Sequence, residues 1–238
     1  MPPKTKKRTR LRPAPFITIF LLINLAAGLY ASRLTVIRKV RVEGAAEWDR
    51  PRLETILEGL RGVPCAQINR FRVESDTLSD SAYRSARLDR NLFGSAVLTV
   101  VYRTPVARFN NHLQLAISDE GVIFRSQHLP SDLPTLQLGD GQPATLLTLA
   151  NDFPSSSIAY LAVHAQAILK PTPFRIEYGT GRGLCLNIGT GQVILGSSAN
   201  LEAKLGKLQE ELRSDPDYLS KIKALNLVEP KNPMTVPK

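Results

Sequence analysis

The chain has 238 residues, a formal net charge of +10 and 43% hydrophobic residues. Six of the positive charges lie within the first twelve residues, and the remainder has no Lys/Arg stripe interleaved with aromatic residues, which argues against a nucleic-acid-binding domain. The two cysteines, Cys65 and Cys185, fit no metal-site spacing and no disulfide framework. A single bridge between them and two buried free thiols both remain open.

The N-terminal region consists of a basic tail, residues 1–13, and an uncharged, mostly apolar stretch, residues 14–32. A membrane-spanning helix needs about 20 such residues. We therefore predict a transmembrane helix over residues 14–32, with the lipid bilayer as a partner of that segment. A cleaved signal peptide is the open alternative. A buried core helix fits less well, because the stretch has no amphipathic face.

The charges around this segment predict its orientation. The tail is wholly basic, so the positive-inside rule keeps it in the cytoplasm. We expect a single-pass protein of the cytoplasmic (inner) membrane with its C-terminal domains outside the cytoplasm. The tail could also bind anionic lipid or DNA, but a topology signal is the simpler interpretation.

Residues 34–107 read as a small α+β domain. Val36, Val40 and Val42 alternate with polar residues, which indicates a strand. Asp49 is placed to cap a helix whose first turn contains Pro51. A second, short helix and two strands follow, so the predicted order is strand, helix, helix, strand, strand. These elements lie at residues 34–43, 53–60, 68–81, 85–89 and 97–102.

Several of these segments are similar to a known family. Val40-Arg41-Val42-Glu43-Gly44 resembles the first strand of the POTRA domain in FtsQ/DivIB-type bacterial cell-division proteins. Ser85-Ala86-Arg87-Leu88 and Val97-Leu98-Thr99-Val100-Val101 resemble its second and third strands. Thr104-Pro105-Val106-Ala107-Arg108-Phe109 resembles the junction into the next domain, and Val193-Ile194-Leu195-Gly196 resembles a late strand of that domain. The resemblance covers the tail, the apolar segment and both following domains.

Residues 108–238 are predicted to form an antiparallel β domain with flanking helices. Residues 130–143 are rich in loop-forming residues, and residues 156–168 form a moderate helix. Three short strands at 174–178, 184–188 and 192–195, separated by glycine-containing turns, indicate an antiparallel meander. Leucines at helical spacing over residues 201–212 predict a helix with Lys204 on its polar side, and a last strand over 222–228 leads into Met234-Thr235-Val236.

The sequence contains no pattern typical of a catalytic or metal site. Gly179-Thr180-Gly181-Arg182-Gly183 lacks the spacing of a phosphate-binding loop and indicates a turn. His112, His128 and His164 are isolated, and no serine lies in a G-x-S-x-G motif. We therefore expect no enzyme activity, no cofactor, no metal and no small-molecule substrate. Ser197, Ser198 or Asn200 is expected to cap the helix that follows.

The predicted function is protein–protein binding. A final strand at an open sheet edge offers unpaired backbone groups to a partner strand. The resemblance implies a division scaffold that docks an FtsB/FtsL-like pair through this last part of the β domain. Competing hypotheses are an anchored or secreted cell-wall enzyme and a POTRA-bearing export or assembly factor. The candidate partner-binding residues are Leu225, Leu227, Val228, Met234, Thr235 and Val236.

Overall fold

The chain divides into two compact units, one ending at Val101 and one spanning Tyr102–Lys238. A computed structural model describes residues 14–31, 35–110, 112, 114–139, 153–179 and 181–238. The predicted basic tail, residues 1–13, lies outside the described residues. Each unit contains its own β-sheet.

Helix α1, Ala14–Ala31, occupies the apolar stretch. Its 18 residues span roughly 27 Å at a rise of 1.5 Å per residue. It also carries the polar Asn24, whose Nδ2 donates to the carbonyl of Phe20 at 2.8 Å. No helix in the described part of the chain is long and apolar enough to cross a membrane. The prediction of a transmembrane helix over residues 14–32 is therefore wrong.

The first unit has the predicted order of elements. Its three strands form a sheet in the order β1-β3-β2, with β1 parallel to β3. A short 3-10 turn at Cys65–Gln67 separates the two helices. The elements are β1 Lys39–Glu43, α2 Arg50–Glu58, α3 Arg70–Leu78, β2 Tyr83–Arg90 and β3 Ser95–Tyr102. The strand-helix-helix-strand-strand prediction is confirmed.

Asp49 has a different role from the predicted one. It occupies the N-cap position of α2 but makes no side-chain capping bond. Asp49 is only 2% exposed. Its carboxylate accepts a hydrogen bond from Arg52 Nε at 2.8 Å and another from the hydroxyl of the buried Tyr83. The hydrogen bond to Asp49 raises the pKa of Arg52 above its usual value. The carboxylate therefore connects α2 to β2 instead of capping the helix.

The second unit is one nine-stranded sheet with helices. The strand order is β12-β11-β10-β9-β8-β7-β4-β5-β6. The strands are β4 Pro105–Phe109, β5 Leu115–Ser118, β6 Ile123–Arg125, β7 Thr135–Leu138, β8 Phe174–Gly179, β9 Gly183–Ile188, β10 Gly191–Gly196, β11 Ile222–Asn226 and β12 Met234–Pro237. The helices are α4 Ser155–Leu169, α5 Leu201–Ser214 and α6 Tyr218–Lys221.

The sheet is mixed, so the prediction of a purely antiparallel domain is wrong. The β8-β9-β10 meander is antiparallel as predicted. The pairs β4–β7, β7–β8 and β10–β11 are parallel. Helix α4 lies between β7 and β8 in the chain, and α5 and α6 lie between β10 and β11. A connection of this length returns the chain to the same end of the sheet, which makes the next strand parallel.

The core of the second unit lies between the sheet and helices α4 and α5. Helix α4 buries one face fully, including Ile158, Leu161 and Ala165. These side chains belong to one cluster with strand residues such as Leu136 and Ile176. The 130–143 segment, predicted as loop, contributes β7 to this core, whereas residues 140–143 lie outside the described residues. Both cysteines are buried and free.

Candidate functional site

The last strand, β12, is an edge strand of the nine-stranded sheet. It pairs antiparallel with β11, with Ala224 opposite Val236 and Asn226 opposite Met234. Met234 is 64% exposed and Val236 is 49% exposed. Because alternate residues of a strand point to the same face, these two apolar side chains lie side by side. The outer backbone of β12 and this apolar pair form the candidate site, which we call the β12 edge.

The structure places the six predicted partner-binding residues in two environments. Leu225 and Leu227 are fully buried and belong to the core. Met234, Thr235 and Val236 are exposed on β12, and Val228 is 46% exposed just after β11. The β12 edge therefore brings Met234, Thr235 and Val236 together at the surface, while the two leucines support it from below.

Hydrogen bonds hold the C-terminal end of β11, the strand that pairs with β12. Leu227 N donates to the carbonyl of Ile194 at 2.8 Å, which extends the parallel pairing of β10 and β11. Asn226 Oδ1 accepts the backbone N–H of Val228 at 3.0 Å and shapes the turn that leaves β11. These hydrogen bonds fix the direction in which the chain leaves β11 and enters the loop before β12.

A terminal lysine ties β12 to the rest of the sheet. Lys238 Nζ donates to Thr190 Oγ1 at 2.9 Å and to the carbonyl of Ser220. Nearby, Lys221 pairs with Asp215 at 2.5 Å on the surface. The hydrogen bond between them lowers the pKa of Asp215 and raises the pKa of Lys221. Polar and charged side chains thus surround the β12 edge, in contrast to the exposed apolar pair, Met234 and Val236.

Lys204 supports the site from inside and was wrongly predicted to lie on the polar side of α5. It is 2% exposed, and its Nζ donates to the carbonyls of Leu195 at 2.7 Å and Ser197 at 2.9 Å. Burial lowers its pKa below the ordinary lysine value. The ammonium therefore satisfies two carbonyls at the end of β10. Helical spacing alone gives no signal for such a contact.

The start of α5 also differs in part from the prediction. Asn200 is the N-cap residue, with a left-handed φ of 56°, but its side chain makes no capping bond. Its backbone conformation turns the chain from β10 into the helix, a role that asparagine tolerates better than most residues. The expected capping bond from Ser197, Ser198 or Asn200 is absent from the described hydrogen bonds.

Other sequence features have structural roles. Gly179 and Gly183 face each other at the β8–β9 turn, as the turn prediction requires. Within the described residues no group of three or more His, Cys, Asp or Glu side chains could hold a metal ion. The candidate site itself consists of an outer strand backbone and two exposed apolar side chains.

No protein-family model and no curated protein sequence matches this chain.

Proposed function

We propose that this protein is a non-enzymatic scaffold of the bacterial division machinery that binds an FtsB/FtsL-like partner at the β12 edge. The observation that carries the proposal is an exposed edge strand with two neighbouring apolar side chains, Met234 and Val236. The strand-helix-helix-strand-strand order of the first unit supports the same family assignment.

Binding would occur by addition of a partner strand to β12. The added strand satisfies outward-facing backbone groups, and side-chain contacts with Met234 and Val236 select the partner. Pro233 and Pro237 bound the strand and cannot donate to a ladder, so the docked segment is short. A short interface of this kind suits a recruiting scaffold.

We further propose that both units act outside the cytoplasm, where septal wall synthesis takes place. A reporter active only outside the cytoplasm, fused after Lys238, tests this placement. A signal from such a fusion supports the proposal, and a signal only from a cytoplasmic reporter contradicts it. A fluorescent fusion of the full chain should concentrate at division sites, and a uniform distribution would contradict the division role.

The binding mode is tested with a charged double variant, Met234→Lys with Val236→Lys. Both side chains are exposed, so the variant should fold, while lysines on an edge strand oppose pairing with another strand. Val163→Lys is the matched control, because Val163 is a 42% exposed apolar residue of α4 in the same unit. We expect the double variant to lose at least about tenfold in affinity for the FtsB/FtsL-like pair, or about 1.4 kcal/mol. Equal affinities for the double variant and the control would rule out the β12 edge.

A further inference from the structure

A row of polar side chains crosses four neighbouring strands of the second unit. In the sheet register Arg108 of β4 lies beside Thr135 of β7, Thr135 beside Arg175 of β8, and Arg175 beside Asn187 of β9. Residues in register point to the same face of a sheet. The next row along the same strands is buried in the core, and its members are Phe109, Leu136, Ile176 and Leu186. The polar row therefore faces away from that core.

This row lines an open cleft of about 840 Å³. The segments just before β7 and just after α4 complete its wall, and they bring in Asp132 and Lys170. The volume lies within the range of roughly 300–1,000 Å³ that is typical of small-molecule sites. Part of the lining is apolar, from Leu133, Pro134, Pro171, Pro173 and Phe174.

The cleft has an excess of positive charge. Arg108, Lys170 and Arg175 are its three cations, and Asp132 is the one carboxylate among its lining residues. Within the described residues none of the three cations forms an ion pair. The one described side-chain hydrogen bond among the three joins Arg175 to Gln137 Oε1 at 3.3 Å.

Several cations elsewhere in this unit are paired with carboxylates. Arg103 contacts Glu120 at 2.9 Å, and Lys207 contacts both Glu210 and Glu211. The three cleft cations have no such described partner, and they share one cavity with a single carboxylate. Placing like charges around one cavity without counter-ions is unfavourable unless an anion occupies it, so the cleft has the electrostatics of an anion site.

The two arginines are spaced to hold two anionic groups of one ligand. Strand β7 lies between their strands, and at about 4.8 Å per strand their backbones are roughly 10 Å apart. A guanidinium presents a planar fork that matches a carboxylate or a phosphate. The Thr135 hydroxyl between them can donate to either group, and the apolar wall fits a carbon skeleton.

We propose that this cleft binds a small organic ligand with two anionic groups, held by Arg108 and Arg175 and supplemented by Lys170. Phosphate and carboxylate share the chemistry that the cleft recognises. Asp132 faces the same cavity and opposes a second negative charge, so it limits affinity. This site is separate from the proposed β12 edge, because none of its lining residues belongs to β11 or β12.

Isothermal titration of the full chain with pyrophosphate and with glutarate tests the proposal. We expect at least one probe to bind the wild type, and the double variant Arg108→Ala with Arg175→Ala to weaken that binding at least tenfold. Binding of pyrophosphate alone assigns the ligand to the phosphate class, and binding of glutarate alone assigns it to the carboxylate class. Arg213→Ala, an exposed arginine of α5 in the same unit, is the matched control and should bind like the wild type.

A variant that is expected to bind more tightly controls for misfolding, because a misfolded protein would not gain affinity. Asp132→Asn removes the opposing charge and should tighten binding several-fold. The proposal is overturned if neither probe binds the wild type, if Arg213→Ala weakens binding as much as the double variant does, or if Asp132→Asn leaves affinity unchanged.

Discussion

Replacing Tyr83 by phenylalanine should destabilise the first unit through the loss of one hydroxyl. That hydroxyl donates to Asp49 Oδ2 and accepts Arg52 Nη2 at 2.5 Å. Tyr83 is 1% exposed and Asp49 is 2% exposed, so water cannot readily replace the tyrosine as a donor to the carboxylate. The Arg52 side chain is 47% exposed and can be hydrated instead.

The expected magnitude follows from the buried bond alone. A hydrogen bond to a charged group contributes about 1.5–3 kcal/mol, and the Arg52 bond is discounted because solvent reaches that side chain. We therefore expect Tyr83→Phe to lower the free energy of unfolding of this unit by about 1.5–3 kcal/mol. With a urea slope of about 1.5 kcal/mol/M, the midpoint falls by about 1–2 M.

Trp48 provides the assay, because it is the single tryptophan of the chain and adjoins Asp49. Its fluorescence in a urea titration reports the first unit, while the second unit has no tryptophan. Tyr160→Phe is the control, since Tyr160 is 36% exposed on α4 of the second unit and should leave the Trp48 transition unchanged. A loss below about 0.5 kcal/mol for Tyr83→Phe would show that the buried bond contributes no more than a typical surface contact.

Three further predictions concern the second unit and are checked by thermal unfolding. Gly183→Ala should lower the free energy of unfolding by about 2–4 kcal/mol, because φ is +72° and a Cβ would lie 2.2 Å from the carbonyl oxygen of Gly196. Gly189 also has a left-handed φ but has open space around it, so Gly189→Ala should lower the free energy of unfolding by only about 1–2 kcal/mol. Leu225→Ala should cost about 2–5 kcal/mol, since the side chain is fully buried. The pKa of Lys204 is lowered in the folded state, so between that pKa and about 10.4 the unfolded chain binds more protons than the folded chain. The free energy of unfolding should therefore rise as pH increases through this range. Lys204→Met should abolish this rise.

Local patterns predicted many elements of both units. The apolar spacing that indicated helices over 156–168 and 201–212 matches α4 and α5, and the glycine-punctuated strands match β8, β9 and β10. These elements are visible in sequence because their amphipathic faces repeat at the period of the backbone.

Long-range features were not predictable in the same way. Strand β7 has four residues, too few for a clear alternation, and it becomes a strand through pairing with β4 and β8, which are distant in sequence. The parallel pairs β7–β8 and β10–β11 depend on the helices that connect their strands and not on the strand residues. The burial of Lys204 depends on two carbonyls nine and seven residues earlier, at and just after the end of β10. The alignment of Arg108 with Arg175 arises only from the register of β4, β7 and β8.

The membrane prediction relied on an uncharged stretch of about the required size at residues 14–32. No helix among the described residues is long and apolar enough to cross a membrane. A count of uncharged positions gives polar residues such as Asn24 the same weight as leucine or isoleucine, so it overestimates how apolar a stretch is.

The two outer strands of the nine-stranded sheet, β12 and β6, differ in how well they could accept a further strand. At one end β6 has only three residues, and it carries the exposed Arg125, so it resists the addition of a further strand. At the other end β12 is free to pair. A sheet that can grow at one end only accepts a single added strand per chain and cannot propagate into a head-to-tail polymer. If a partner strand adds at β12 as proposed, the unequal ends of the sheet favour one added strand per chain and oppose growth into fibres.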